Sequence, residues 1–112
     1  MQKETIPNIA IIGVGNIGIR HIESLIQFTS PINIYMFDIN TSGLIKTKEL
    51  LNNKKSHLVS LNIVNNLKDL PKEISILILA TSSNQRISLL EKIKSNIKFL
   101  IVEKILSSDR NE

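Results

Sequence analysis

Three glycines and one carboxylate are the residues whose types and spacing point to chemistry. The glycines are Gly13, Gly15 and Gly18, spaced G-x-G-x-x-G directly after an apolar run. In a dinucleotide site the first makes a tight turn, the second lets the pyrophosphate approach the backbone, and the third lets the next helix pack on the strand. The helix start then offers unpaired N–H groups and a positive dipole end to the phosphates. Asn16 and Ile17 belong to the same predicted binding loop.

Asp38 is the carboxylate, and it ends a second apolar run 20 residues beyond Gly18. At this distance a carboxylate accepts hydrogen bonds from the adenosine ribose hydroxyls and repels a 2′-phosphate. The pattern therefore predicts NAD as the cofactor, with NADP the less favoured alternative. The competing interpretation is that Asp38 only ends a strand and caps the next helix.

Composition narrows the classes of protein that remain. The chain has 112 residues, 42% of them hydrophobic, which predicts one globular domain. It has no cysteine and two histidines 36 residues apart, so we predict no disulfide and no metal site. The net charge is +4, but the lysines are scattered and the four aromatic residues form no stacking row, so we predict no nucleic-acid partner. With no apolar run of about 20 residues and a polar start, we expect no membrane association and a cytoplasmic protein.

Strand and helix patterns alternate along the chain after a polar tail over residues 1–7. Strands are predicted over 9–13, 32–38, within 58–64, over 74–80 and over 99–103, and helices over 16–28, 41–53 and 84–94. In the last helix, Ile87, Leu90 and Ile93 or Ile97 are expected to face inward. Residues 65–71 are predicted to form a turn or one helical turn. Residues 8–112 are thus predicted to form an α/β domain with a doubly wound parallel sheet of order 3-2-1-4-5.

The ligand crevice of such a sheet lies at the carboxyl ends of strands one and four, where the strand order reverses. The polar residues Thr81, Ser82 and Asn84 follow strand four and are predicted to join the glycine loop there as cofactor-binding residues. Glu103 and Lys104 follow strand five at the same edge. His21, His57 and Arg86 are interpreted as packing or solvated surface residues.

Four segments occur in a familiar combination: G-V-G-N-I-G with His21 three residues beyond it, M-F-D, I-L-I-L-A-T-S-S-N-Q-R, and V-E-K. Together they resemble the N-terminal domain of the Gfo/Idh/MocA oxidoreductases, the glucose-fructose oxidoreductase and inositol dehydrogenase family, over nearly the whole chain. The resemblance implies a Rossmann domain that uses NAD or NADP to oxidise or reduce a hydroxyl carbon of sugars, inositols or related compounds. It also implies an oligomer as a possible state of the full-length enzyme.

The most specific element of this resemblance is Glu103-Lys104, which matches the family's E-K-P. There the lysine lies near the nicotinamide and the substrate and assists proton transfer, so Lys104 is the candidate catalytic residue and Glu103 a further cofactor-binding residue. The chain departs from the family at Ile105, which stands in place of the proline, and at Ser83-Asn84, which replace a proline-bearing turn.

In the family a second, sheet-rich domain supplies the substrate pocket, and nothing in this sequence matches it. The final residues, 107–112, are expected to open a helix, so the chain is interpreted as a fragment that is inactive without that domain. Two alternatives stay open from the residues: a free-standing NAD-binding or redox-sensing module, and a methyltransferase that uses S-adenosylmethionine. Gly18 and the Glu-Lys pair argue against the methyltransferase. The substrate and the direction of reaction are not encoded in any recognisable pattern.

Overall fold

One parallel sheet carries the helices on its two faces. A computed structural model describes residues 6–13, 15–27, 30–81 and 83–103. Its strands are β1 (Asn8–Ile12), β2 (Ile32–Phe37), β3 (Val59–Ile63), β4 (Glu73–Leu79) and β5 (Asn96–Val102). Its helices are α1 (Asn16–Leu25), α2 (Thr41–Asn52) and α3 (Ser83–Lys92), with a 3-10 turn at Leu67–Asp69. The strands are all parallel in the order β3-β2-β1-β4-β5, which confirms the predicted α/β class and doubly wound order.

Two apolar clusters show why the sheet is covered on both faces. One cluster joins Ile9 and Ile11 of β1 to Ile22 of α1 and Leu44 of α2. The other joins Ala10 of β1 and the opposite faces of its neighbours to Leu89 and Leu90 of α3 and to Ile93, which follows that helix. Because successive side chains of a strand point to opposite faces, a nearly continuous apolar run such as β1 or β4 serves both clusters at once.

The start of β5 differs from the prediction. The strand begins at Asn96 rather than at residue 99, and Ile97 pairs with Ile74 of β4 instead of extending the helix. The backbone N–H of Asn96 also donates to the carbonyl of Lys72 at 2.7 Å, which fixes the first residue of the strand. The sequence pattern here fits both the end of a helix and the start of a strand. Pairing with β4 makes these residues part of the strand.

The predicted inward face of α3 is partly wrong. Leu90 and Ile93 pack against the core as expected, but the Ile87 side chain is 72% exposed. At 100° per residue, the direction midway between Leu89, Leu90 and Ile93 is roughly 110° from Ile87, which places Ile87 outside the inward face. No helix in the described ranges is long and apolar enough to cross a membrane, and no group of His, Asp or Glu in them is suited to hold a metal ion.

Candidate functional site

The turn after β1 requires glycine at its first position. Gly13 has φ +92°, a region that residues with a side chain rarely adopt. Its N–H donates to the Phe37 carbonyl at 2.8 Å, and a Cβ would lie 2.6 Å from the Ala80 carbonyl oxygen. This glycine therefore joins the carboxyl ends of β1, β2 and β4 by close backbone contact.

Gly18 is also required by the fold itself. It is buried in the first half of α1, and a Cβ there would collide with the Gly13 carbonyl oxygen. The absence of a side chain lets α1 pack directly on the end of β1, which is the role predicted for the third glycine of the pattern.

Gly15 differs from the other two. A Cβ at Gly15 would meet no atom within 4 Å among the described residues, and its φ of −89° is open to any residue. It stands at the N-cap of α1, where no side-chain cap hydrogen bond is made. At the start of α2, by contrast, the Asn40 side chain accepts a hydrogen bond from Gly43 N–H at 3.0 Å. As far as the described residues go, the space above Gly15 at the start of α1 is therefore open to a ligand.

Asp38 follows β2 beside this loop, and its carboxylate is held in place. The Asp38 Oδ1 atom accepts a hydrogen bond from the Asn40 N–H at 3.0 Å. The competing interpretation is that Asp38 ends a strand and caps the next helix. Asp38 does follow β2 and accepts a hydrogen bond in the turn before α2, but Asn40 is the residue that caps the helix. A carboxylate fixed in this way is pre-organised to accept hydrogen bonds from hydroxyl groups in the crevice.

A cavity of about 550 Å³ connects these residues at the carboxyl edge of the sheet. Its size is within the usual range for small-molecule and cofactor sites. Of the predicted residues, Gly13, Gly15, Asp38 and Thr81 line it. The predicted crevice thus exists, and it extends from the glycine loop towards α3.

Thr81 contributes a polar atom without a partner. Its Oγ1 is buried and makes no hydrogen bond within the described part of the chain. Burial of a hydroxyl without a hydrogen bond is unfavourable, by about 1–3 kcal/mol in proteins. Thr81 as a residue also lines the cavity.

Glu103 lies at the same sheet edge but beyond the lining of the cavity. Its N–H donates to the Leu79 carbonyl at 2.9 Å, so the β4–β5 ladder continues to this residue. Its Oε2 is 3.6 Å from Nε2 of His21 on α1, and the two side chains are 33% and 30% exposed. His21 therefore contacts a predicted site residue, a contact that the sequence analysis did not anticipate.

Several predicted residues lie outside the described part of the chain. Lys104, the candidate catalytic residue, and Ser82 are among them. Asn16, Ile17 and Asn84 fall within α1 and α3, but their side chains are likewise outside what is described.

The sequence prediction missed residues on the far wall of the cavity. These come from the connection after β3 and from the side of α3 that faces the cavity: Asn65, Asn66, Leu67, Ser88, Leu89 and Lys92. Asn65 and Asn66 could have been found, because they follow a strand whose carboxyl end lies at the crevice edge. Ser88 and Lys92 gave only a four-residue helical spacing, which many surface residues share.

Comparison with known proteins gives no relative from which to transfer a function. No family model, no curated protein and no solved structure matches this chain. The function is therefore inferred from the residues and geometry of the site.

Proposed function

We propose that this chain is the NAD-binding domain of an oxidoreductase that transfers a hydride between the nicotinamide and a sugar-like, polyol or carbonyl substrate. The observation that carries the proposal is the contrast among the three glycines. Gly13 and Gly18 are explained by contacts within the chain, whereas Gly15 faces open space at an uncapped helix start. A pyrophosphate lying on that loop accounts for the glycine and would bind the N–H groups that a helix start leaves without an intrahelical partner.

The other residues of the crevice fit the remaining parts of a dinucleotide. Asp38, in the cavity beside the loop, would accept hydrogen bonds from the adenosine ribose, and the apolar cavity wall formed by Phe37 and Leu89 would contact the base. When bound, the nicotinamide supplies the hydride chemistry, while the chain binds and orients it.

The proposed substrate class and the proposed catalytic residue come from the sequence resemblance. Lys104 would assist proton transfer at the substrate hydroxyl oxygen, whose carbon exchanges the hydride with the nicotinamide. A second, substrate-binding domain would cover the nicotinamide half, so we expect the 112-residue chain to bind NAD weakly, with micromolar affinity or poorer, and to show no turnover.

A Gly15→Val substitution tests the pyrophosphate site. Valine fits the extended backbone at this position but fills the space proposed for the phosphates. We expect NAD affinity to fall by at least about tenfold, or ~1.4 kcal/mol, in titration calorimetry. The free energy of unfolding should fall by about 1 kcal/mol or less, because Gly15 is the N-cap of α1 and valine is a poorer N-cap residue than glycine.

The matched control is Ser24→Val, which adds the same side chain to an exposed position of the same helix. Its NAD affinity should equal that of the wild type. Absence of NAD binding by the wild type, or unchanged binding by a folded Gly15→Val variant, would refute the proposed site.

An Asp38→Ser substitution tests the ribose end of the site. The carboxylate should favour NAD over NADP by about 1–3 kcal/mol, the scale of a hydrogen bond to a charged group. The serine variant should narrow or reverse this preference, measured as the ratio of the two dissociation constants. Asp69→Ser, which removes the same charge from an exposed residue outside the cavity, should leave the ratio unchanged. An unaltered ratio in Asp38→Ser would remove Asp38 from the ribose site.

A further inference from the structure

The groups at the carboxyl edge of the sheet lie in a row that crosses four strands. Asp38, Gly13 and Glu103 directly follow β2, β1 and β5, respectively. Thr81 is the second residue after β4. Neighbouring strands are about 4.8 Å apart, so the two carboxylates are separated by roughly 14–15 Å along the edge. A dinucleotide that places its adenosine ribose at Asp38 and its pyrophosphate over Gly15 must direct its nicotinamide nucleoside towards β4 and β5.

Glu103 is held at this β5 end from two directions. Its backbone N–H is bonded to Leu79 of β4, and its carboxylate contacts the His21 imidazole at 3.6 Å. His21 lies in α1, the helix that starts at the glycine loop. The contact therefore ties the phosphate-binding helix to the end of β5. Both side chains are about one-third exposed, so neither is sealed in the core.

We propose, building on the NAD site proposed above, that Glu103 is a specificity-determining residue that makes the site bind NAD⁺ more tightly than NADH. His21 is its positioning residue. The two cofactor forms differ in charge only at the nicotinamide ring, which is cationic in NAD⁺ and neutral in NADH. A carboxylate at the nicotinamide end discriminates between them, whereas Asp38 and the glycine loop contact parts that both forms share. By linkage, the bound NADH is a stronger hydride donor than free NADH.

The test compares the dissociation constants of NAD⁺ and NADH for the wild type and for Glu103→Gln in the same buffer. The neutral amide should lower the NADH-to-NAD⁺ ratio of dissociation constants by about two- to fivefold, the scale of a partly exposed charge pair. Glu103→Asp keeps the charge and should keep most of the preference. NADH affinity should change less than NAD⁺ affinity in both variants.

Glu73→Gln is the matched control. It removes one carboxylate from the opposite end of the neighbouring strand β4, where the charge lies roughly 20 Å from the crevice edge and is screened. Its ratio should equal that of the wild type. An equal shift in Glu73→Gln and Glu103→Gln would show that only net charge matters, and would overturn the inference.

His21→Leu should lose part of the preference, and His21→Gln, which restores a hydrogen-bonding side chain, should recover it. A merely structural role of His21 would alter both affinities together and leave their ratio fixed, which would overturn its positioning role. Failure of both NAD⁺ and NADH to bind the wild type would refute the proposed function. Binding of both, with the same ratio in Glu103→Gln as in the wild type, would refute only the present inference.

Discussion

The two outer strands of the sheet, β3 and β5, differ in how much of their apolar side chains is buried. In β3, Val59 and Leu61 are buried in the cluster that includes α2, and the intervening residues are polar. In β5, four consecutive apolar residues are exposed: Phe99 (67%), Leu100 (46%), Ile101 (39%) and Val102 (44%). Both strands occupy an edge, but only β3 has the apolar and polar alternation expected of one.

Register shows that β5 is exposed on both of its faces. Phe99 and Ile101 are aligned with Ile76 and Ile78 of β4, and Leu100 is aligned with Leu77 on the other face. Those residues of β4 are mostly buried, whereas their partners in β5 are not. A nearly continuous apolar run is typical of a strand covered on both sides. The composition of β5 is thus that of an interior strand, while its coverage within the described chain is that of an edge.

The largest expected effect of this difference is on stability. Leu61→Ala in β3 removes a side chain that is 5% exposed, and should lower the free energy of unfolding by about 2–5 kcal/mol. Leu100→Ala in β5 makes the same chemical change at a residue that is 46% exposed. It should cost about 1 kcal/mol or less, because much of the side chain is already in water. Urea unfolding of both variants measures the two values.

Equal losses in the two variants would break the comparison, because they would mean that β5 is covered in solution. Repeating the measurement at several protein concentrations would then show whether another copy provides the cover, since stability gained by association depends on concentration.

The sequence predicted the order of the strands because the strongest signals come from the central strands. The apolar runs of β1 and β4 are bounded by glycine, proline or polar residues, and few other assignments fit them. The exposure of β5 could not be predicted in the same way. Its run Phe-Leu-Ile-Val resembles Ile-Leu-Ile-Leu of β4, and only the arrangement of the neighbouring elements separates a buried strand from an exposed one.

The candidate site divides similarly into local and non-local parts. The glycine loop and Asp38 have a fixed spacing in the sequence, and the structure places both at one cavity. The contact of His21 with Glu103 joins residues 82 positions apart, and the cavity wall formed by Lys92 depends on how α3 lies across the sheet. Neither arrangement has a local pattern that could have predicted it.

The smaller expected effect concerns the polar face that distinguishes β3 from β5. Ser60 donates to Asn33 Oδ1 at 2.8 Å and accepts from Asn62 Nδ2 at 3.1 Å, and Asn33 continues the chain of hydrogen bonds to Asn8 of β1 at 3.1 Å. Ser60→Ala leaves one acceptor and one donor of this half-buried network without their partner. We therefore expect unfolding to become easier by about 0.5–1.5 kcal/mol in urea titrations.

Ser24→Ala provides the control for this last substitution, because the Ser24 hydroxyl donates to the Arg20 carbonyl of its own helix at an exposed position. Alanine is the better helix former, so this variant should be neutral or slightly more stable. If Ser60→Ala were equally neutral, the polar face of β3 would contribute solubility rather than stability. The polar residues of β3 would then distinguish it from β5 in composition but not in stability. Among the substitutions compared, only Leu61→Ala, under α2, would lower the free energy of unfolding substantially.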